Sequence, residues 1–412
     1  MEKRNPTGVF ALFLLIGFLL LPAKIFGEVF EFRHVAGARY RIISVVDQAV
    51  FINGVLSHRG EILNRIAVEI TDVVNGTGMH RATFQTSERI LYDWHEPLQG
   101  TITGFQWSRE YESIFERDRL GNMTIDSQFY MPVVRNVPVF PDRPLRIGDR
   151  WHAPAHEVHD FRYSFGIPDP YRIDFNAFYE FVGFRQWKGV HYPAFSVNYN
   201  IETQPPPVRG RIYPVRISGT FNQLVFWDHS LGQAVAYEET FRITFWMSDG
   251  RRIEYRGSAH AEVVESEYMD RDRMIAEIAE EIDRLQLADV YVRAVEEGVV
   301  ISLENIQFFP DSVRMLPGGQ ETLTRLAGIL LLYPDRDIMV SGHAALIGTR
   351  EYLMQLSLDR AGAVAEYLLS RNIRSADRIV IRGYGAERPI ADNNTEEGMR
   401  RNRRVEITLL EN

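Results

Sequence analysis

Three histidines and a glutamate, His152, His156, Glu157 and His159, stand within eight residues of one another. Imidazole and carboxylate at that density are the donors a metal site draws on. The spacing is not that of a zinc protease, because Asp160 stands where the next ligand histidine should be. Pro154 opposes a helix that would turn two histidines to one face. Catalytic zinc needs three converging ligands and an open position, so an exposed histidine-rich loop is the plainer expectation. Cationic chemistry elsewhere falls to arginine, since the only lysines are Lys3, Lys24 and Lys188 among 46 basic residues. A guanidinium fork suits two-point contacts with carboxylates. The net charge of -9 argues against a nucleic-acid partner, which demands a clustered basic face. The chain has no cysteine, which excludes disulfides, thiolate metal sites, thiol catalysis and a lipid anchor on an N-terminal cysteine. No nucleophile elbow, phosphate-binding glycine loop or paired-acid motif is evident; Asp249-Gly250 reads as a hairpin turn. No catalytic residue, metal or cofactor is therefore expected.

The elements that would position any site fall into two kinds. Lys3 and Arg4 precede an apolar run from Val9 to Leu21, too short to span a bilayer and ended by Pro22 and Lys24, so residues 1–27 read as an export signal. Residues 28–265 read as all-β, with Val, Ile and aromatic runs broken by Gly, Pro, Asn and Asp. Thr220–Trp227, Ala234–Trp246 and Arg252–Val264 look like consecutive strands. Charges such as Arg242 and Glu254 inside them point to a sandwich or open barrel rather than a lipid-facing one. A break near Pro141 could divide this region into two lobes. Residues 266–298 hold an amphipathic helical linker, with Met274, Ile278 and Ile282 on one face. From 299 to 412 the pattern becomes α+β, in the order β-α-β-α-β with a final strand. Leu323, Leu326, Ala327 and Leu330 mark one helix. Leu358, Ala361, Val364 and Leu368 mark the next, with Ser357 as its N-cap and Asn372 near its end.

Three stretches of that last third carry a resemblance. They are Phe308-Phe309-Pro310-Asp311-Ser312; Ser341-Gly342-His343 through Gly348, Tyr352 and Leu356-Ser357-Leu358-Asp359-Arg360-Ala361; and Gly383-Tyr384-Gly385 with Pro389, Asn393, Thr395, Gly398 and Asn402-Arg403-Arg404-Val405-Glu406. Together, over about residues 299–410, they resemble the OmpA/MotB C-terminal peptidoglycan-binding family, here in an envelope protein of the spirochaete type.

The resemblance implies a non-enzymatic domain that holds the peptidoglycan stem peptide by its diamino acid. An acid after Gly-His-Thr meets the ligand ammonium, and an arginine fifteen positions later meets a carboxylate. Arg360 takes the arginine position, in the first turn behind the Ser357 cap, where free N–H groups also favour an anion. Arg403 lies beside the pocket, and Asp311 is expected to form a turn. The acid position is Ala345, the usual Asn is Leu353 and the usual late Arg is Met399. Losing the acid removes an interaction worth roughly 1.5–3 kcal/mol. The expectation is a periplasmic or outer-membrane-associated wall-binding protein with altered diamino-acid specificity, as for ornithine-containing walls. Its β region would meet an envelope protein partner. The alternatives are an interaction scaffold with a vestigial pocket, or a metal-dependent hydrolase built on His152–His159.

Overall fold

The computed structural model describes residues 27–93, 105–265, 269, 271–295, 297–304, 308 and 312–410. Nearly all of the expected export signal lies outside the described residues. The β region holds strands β1 (Arg39–Ile52), β2 (Val55–Val74), β3 (Thr77–Asp93), β4 (Phe105–Arg117), β5 (Met123–Ile125), β6 (Val134–Arg135) and β7 (Arg150–His159). A single turn of helix, α1 (Arg162–Phe165), precedes β8 (Tyr171–Trp187), β9 (Val190–Thr203), β10 (Pro214–Asp228), β11 (Gln233–Met247) and β12 (Arg252–Glu265). The last three strands lie where apolar alternation and turn residues place them. Asn75-Gly76 joins β2 to β3 with φ of 51° and 79°, the left-handed pair that a tight hairpin turn requires.

Neighbouring strands pair antiparallel from β1 to β4 and from β7 to β12. The two runs join because β1 pairs with β12 from Tyr40↔Glu265 to Ile52↔Ile253. One sheet therefore holds strands from both sides of position 141. Ala177, Tyr199 and Phe221 from different strands share one buried cluster, Phe140, Phe195 and Trp227 a second, and Val68, Ala82 and Phe84 a third. The outer strands are β4 and β7, and residues 118–149 span the space between them. Within that segment β5 pairs with β4, β6 pairs with β7, and Ser113 Oγ donates to the Met131 carbonyl at 2.7 Å. The sheet thus curls into an open barrel around a cavity of about 820 Å³.

The C-terminal unit adds α2 (Arg271–Arg284), β13 (Val290–Val295), β14 (Gly298–Glu304), α3 (Pro317–Leu330) and β15 (Ile338–Gly342). It ends with α4 (Arg350–Ser370), β16 (Ile379–Gly383), α5 (Glu396–Asn402) and β17 (Arg404–Leu410). Spatially the strands run β13-β14-β17-β15-β16, antiparallel except for β15 beside β16. The β13 hairpin strand and short α5 add to the order read from sequence. Helix α2 does more than link: Met274, Ile278 and Ile282 enter the same core as Leu323, Leu326 and Val364. Helices pack tightly against the sheet because two strands end in glycine. A Cβ on Gly342 would lie 1.9 Å from the Ser357 carbonyl, and one on Gly383 would lie 2.8 Å from Leu358 N.

Barrel and C-terminal unit meet over a buried charge. Asp337, 4% exposed, accepts from Arg65 Nε at 3.0 Å, Arg41 NH1 at 3.3 Å and Arg378 Nε at 2.8 Å. Burial alone would raise its carboxyl, but the arginines hold it below the usual carboxylate range. Alongside, β4 pairs parallel with β16 through Val380↔Phe105 and Ile381↔Gln106. Trp107 packs on Met339, Val380 and Leu410, with the Arg382 guanidinium 4.8 Å above its ring.

Replacing one partner of a buried ion cluster strands the others, at a cost of roughly 3–5 kcal/mol. Asp337→Asn is accordingly expected to lose about that much in denaturant titration and to separate calorimetric unfolding of the two halves into distinct transitions.

Candidate functional site

The site is built where β15, α4 and the α5–β17 junction come together. After β15 the chain leaves the sheet through His343 to Thr349. Thr349 caps α4, its hydroxyl accepting from Tyr352 N at 3.3 Å. The cap expected at Ser357 is incorrect: helix-forming residues from Glu351 to Leu356 carry α4 back to Arg350. Ser357 sits inside the helix, fully buried, donating to the Met354 carbonyl and accepting from Gly385 N at 2.8 Å. It clamps α4 to the end of β16. Arg360 therefore lies well inside α4, away from free helix N–H groups, and the anion-favouring helix terminus expected around it is absent. Its guanidinium stands 5.1 Å over the Phe308 ring and its Nε reaches the Ser312 carbonyl at 3.4 Å.

Ala345 is 4% exposed in the loop after β15. Neighbouring backbone fixes it: Ala344 N donates to the Gly385 carbonyl at 2.8 Å, and Ile347 N donates to the Ala345 carbonyl at 2.8 Å. Beyond it Leu346 and Ile347 are 64% and 60% exposed. Arg403 is the C-cap of α5, and the next carbonyl, of Arg404, accepts from His343 N at 3.0 Å. Ala345 and Arg403 are thereby brought to the same end of the sheet. The Arg403 side chain is exposed and has no partner among the described residues. Asp311 lies outside the described residues.

Several other matched residues are structural. Asn402 is wholly buried, its Oδ1 accepting from Ile390 N and Ala391 N and its Nδ2 donating to Ala391 O and Asn393 Oδ1. Asn393 also accepts from Leu346 N at 3.2 Å, tying the Ala345 loop to α5. Thr395 caps α5 by accepting from Gly398 N at 3.0 Å. A Cβ on Gly398 would meet the Asp392 carbonyl at 1.9 Å, so glycine is required there.

Beneath the loop lies a charge network that sequence reading did not anticipate. Glu406 Oε1 accepts from Arg404 Nε at 2.8 Å and from Arg293 NH2 at 3.0 Å. His343 Nε2 lies 3.3 Å from the other carboxylate oxygen, without hydrogen-bond alignment, and its ring stacks on Tyr384 at 5.1 Å. Burial lowers the His343 pKa. Burial would raise the Glu406 carboxyl, but His343 and Arg404 beside it hold it well below the usual range. The available signal was alternation: Arg404 and Glu406 flank Val405 on a strand otherwise fully apolar inward.

The histidine stretch is not the exposed loop expected. It forms β7, where alternation sends His152 and His156 to one face and Glu157 and His159 to the other. Glu157 is 1% exposed and is engaged by His159 Nε2 at 2.8 Å and by the Tyr199 hydroxyl at 3.1 Å. Among the described residues, no three His, Cys, Asp or Glu side chains come together as a metal-binding group.

The sheet is mixed and helix-covered, and the motif residues gather at the ends of β15, β16 and β17. Residues 307–403 are an OmpA family domain, matched by that family's model. The chain is 36% identical over 128 residues to the probable lipoprotein YiaD of Escherichia coli, covering 31% of this chain and 58% of the relative. It is 38% identical over 104 residues to the peptidoglycan-binding protein ArfA of Mycobacterium tuberculosis, covering 25% and 32%. Among solved structures, the cell wall anchor of the T6SS from Pseudomonas aeruginosa is 30% identical, covering 35% of this chain and 100% of that one, with a TM-score of 0.30. The chain thus spans about a third to three fifths of the length of these two curated relatives.

Glu406→Gln should leave Arg404 buried and unpaired, costing about 3–5 kcal/mol at neutral pH. Because the folded Glu406 pKa is depressed, its contribution is complete above the ordinary carboxylate value and fades as pH falls below it. Urea titrations at pH 7 and pH 3 are expected to show the gap between variant and wild type narrowing in acid.

Proposed function

We propose that the protein is a non-enzymatic component of the cell envelope, exported to the periplasm, whose OmpA family domain holds the stem peptide of peptidoglycan non-covalently. The observation that carries this reading is the state of the two neighbouring arginines at the α5–β17 junction. Arg404 is committed to Glu406, whereas Arg403 is exposed and unpartnered beside the Ala345 loop. A guanidinium so placed offers a two-point contact to a ligand carboxylate. Arg360, half-buried over Phe308, is the second cation on which the anionic part of the ligand would rest.

The ammonium side of the ligand has no acid where the family carries one, because Ala345 fills that position. We infer altered diamino-acid specificity, toward a wall such as one containing ornithine. The names of ArfA and of the T6SS cell wall anchor support the wall as the partner class. Exposed Leu346 and Ile347 favour a second reading, in which this loop contacts another envelope protein and the pocket is vestigial.

Cosedimentation of the whole chain with purified sacculi separates the two. Retention on sacculi of the native organism is expected, with Arg403→Ala and Arg360→Ala each weakening it on the order of tenfold. Ala345→Asp is expected to add binding to diaminopimelate-type sacculi. Failure of the wild type to sediment with either wall, together with loss of a cross-linked protein partner in Leu346→Asp, would establish the second reading instead.

A further inference from the structure

The barrel encloses a cavity that the C-terminal site does not use. Its volume of about 820 Å³ lies in the range that holds a small organic ligand, roughly 300–1,000 Å³. Strand alternation turns Ile42, Ile62, Ile66, Phe84 and Val225 onto its wall, with Ser44 and the hydrogen-bonded pair Asn64 and Thr86 among them. Along β3 the lining runs from His80 to Glu88, about 26 Å at the usual rise per residue. The cavity is long as well as roomy.

Its two ends differ in charge. At one end Arg117 lines the cavity, with its guanidinium 5.0 Å over the Phe32 ring. No carboxylate or other hydrogen-bond acceptor pairs with it among the described residues, and its Nε is buried without a partner. His34 Nε2, on the same wall, is also buried and unpartnered. Burial, then the charge of Arg117, pushes the neighbouring His80 down to about 3, so that ring is neutral. At the other end stand Glu88 and Glu239. Burial pushes Glu239 up to about 7, so that it is substantially protonated at neutral pH and can donate a hydrogen bond.

A guanidinium removed from bulk water and left without an anion is costly to maintain. Here it closes one end of the tube, where a ligand's anionic head would meet the Arg117 guanidinium beside the unpartnered His34 ring. Of the other charged groups on the lining, Asp160 is held by Arg162 and Tyr111 and Glu262 by Lys188, while Glu88, with Arg109 near it, and Glu239 stand at the far end. We propose that the barrel is a carrier site for one single-chain amphipathic anion, its head held by Arg117 and its acyl chain lying along the Phe84 wall toward Glu239. A free fatty acid and a lysophospholipid present the same chemistry. This inference is independent of wall binding.

The test uses the whole chain and a fluorescent acid, 11-(dansylamino)undecanoic acid. Saturable, blue-shifted emission is expected, displaced by palmitate or palmitoyl lysophosphatidate on the order of tenfold more strongly than by hexadecanol. The more potent of the two acids names the source of the head group. Arg117→Met should abolish that preference while leaving hexadecanol displacement unchanged. Because this variant removes an unpaired buried charge, its empty form should melt no lower than wild type. Ile62→Trp, which fills the middle of the tube, should weaken all three competitors alike. Absence of saturable probe uptake by the wild type overturns the proposal. So does equal displacement by acid and alcohol, which would mean that Arg117 is merely solvated by water in the cavity. Both overturning results are read on unmodified protein, so neither depends on a variant folding, and sacculus sedimentation remains a separate measurement.

Discussion

The carboxylate of Asp337 is where the two halves of this chain are made into one object. It sits at the entrance to β15, the strand that leads into the Ala345 loop, and it neutralises guanidinia from β1 and β2 of the barrel. Three arginines around one acid leave net positive charge in a buried place, and burial lowers Arg41 to about 10, still charged at neutral pH. Such a cluster is poor as a source of stability and strong as a constraint. Any displacement that breaks one contact exposes an uncompensated ion to low dielectric. The position of the barrel relative to the OmpA family domain is fixed by that penalty, with Trp107 filling the adjoining apolar gap.

Within the C-terminal domain the equivalent constraint is steric. Gly342 and Gly383 let α4 lie so close to the strands that Ser357 can bond across to Gly385. Asn402, through both groups of its amide, and Asn393, through its Oδ1, then hold the Ala345 loop against α5. Most of the family motif thus builds a rigid frame, and in the proposed reading Arg403, Arg360 and the Ala345 position are what remains to meet a ligand.

How far this was legible in sequence depends on the range of the forces involved. Local alternation located β10, β11 and β12, and helical spacing located the buried faces of α3 and α4, because each signal is contained in a dozen residues. The start of α4 was misjudged since Ser357 looks like a cap, whereas Thr349 performs that function and Ser357 faces a distant glycine. The histidine stretch was misread for a similar reason: Pro154 suggested a loop, but an outer strand tolerates it. Asp337 finds Arg41 and Arg65 across 296 and 272 residues, a separation that no local pattern encodes. Arg117 was equally silent, although its parity with Tyr111 and Phe115 on β4 does indicate which way it points.

The parallel register of β4 on β16 has a mechanical corollary. Tension applied to the C-terminal sheet along β16 would load its hydrogen bonds to β4 in shear, side by side, instead of peeling them apart in succession. The Asp337 cluster and Trp107 lie on the same seam and would share that load. Traction would therefore bypass the covalent connection near residues 266–270 and pass directly into the barrel wall. A torque on one half would turn the other with it, as a handle turns a key.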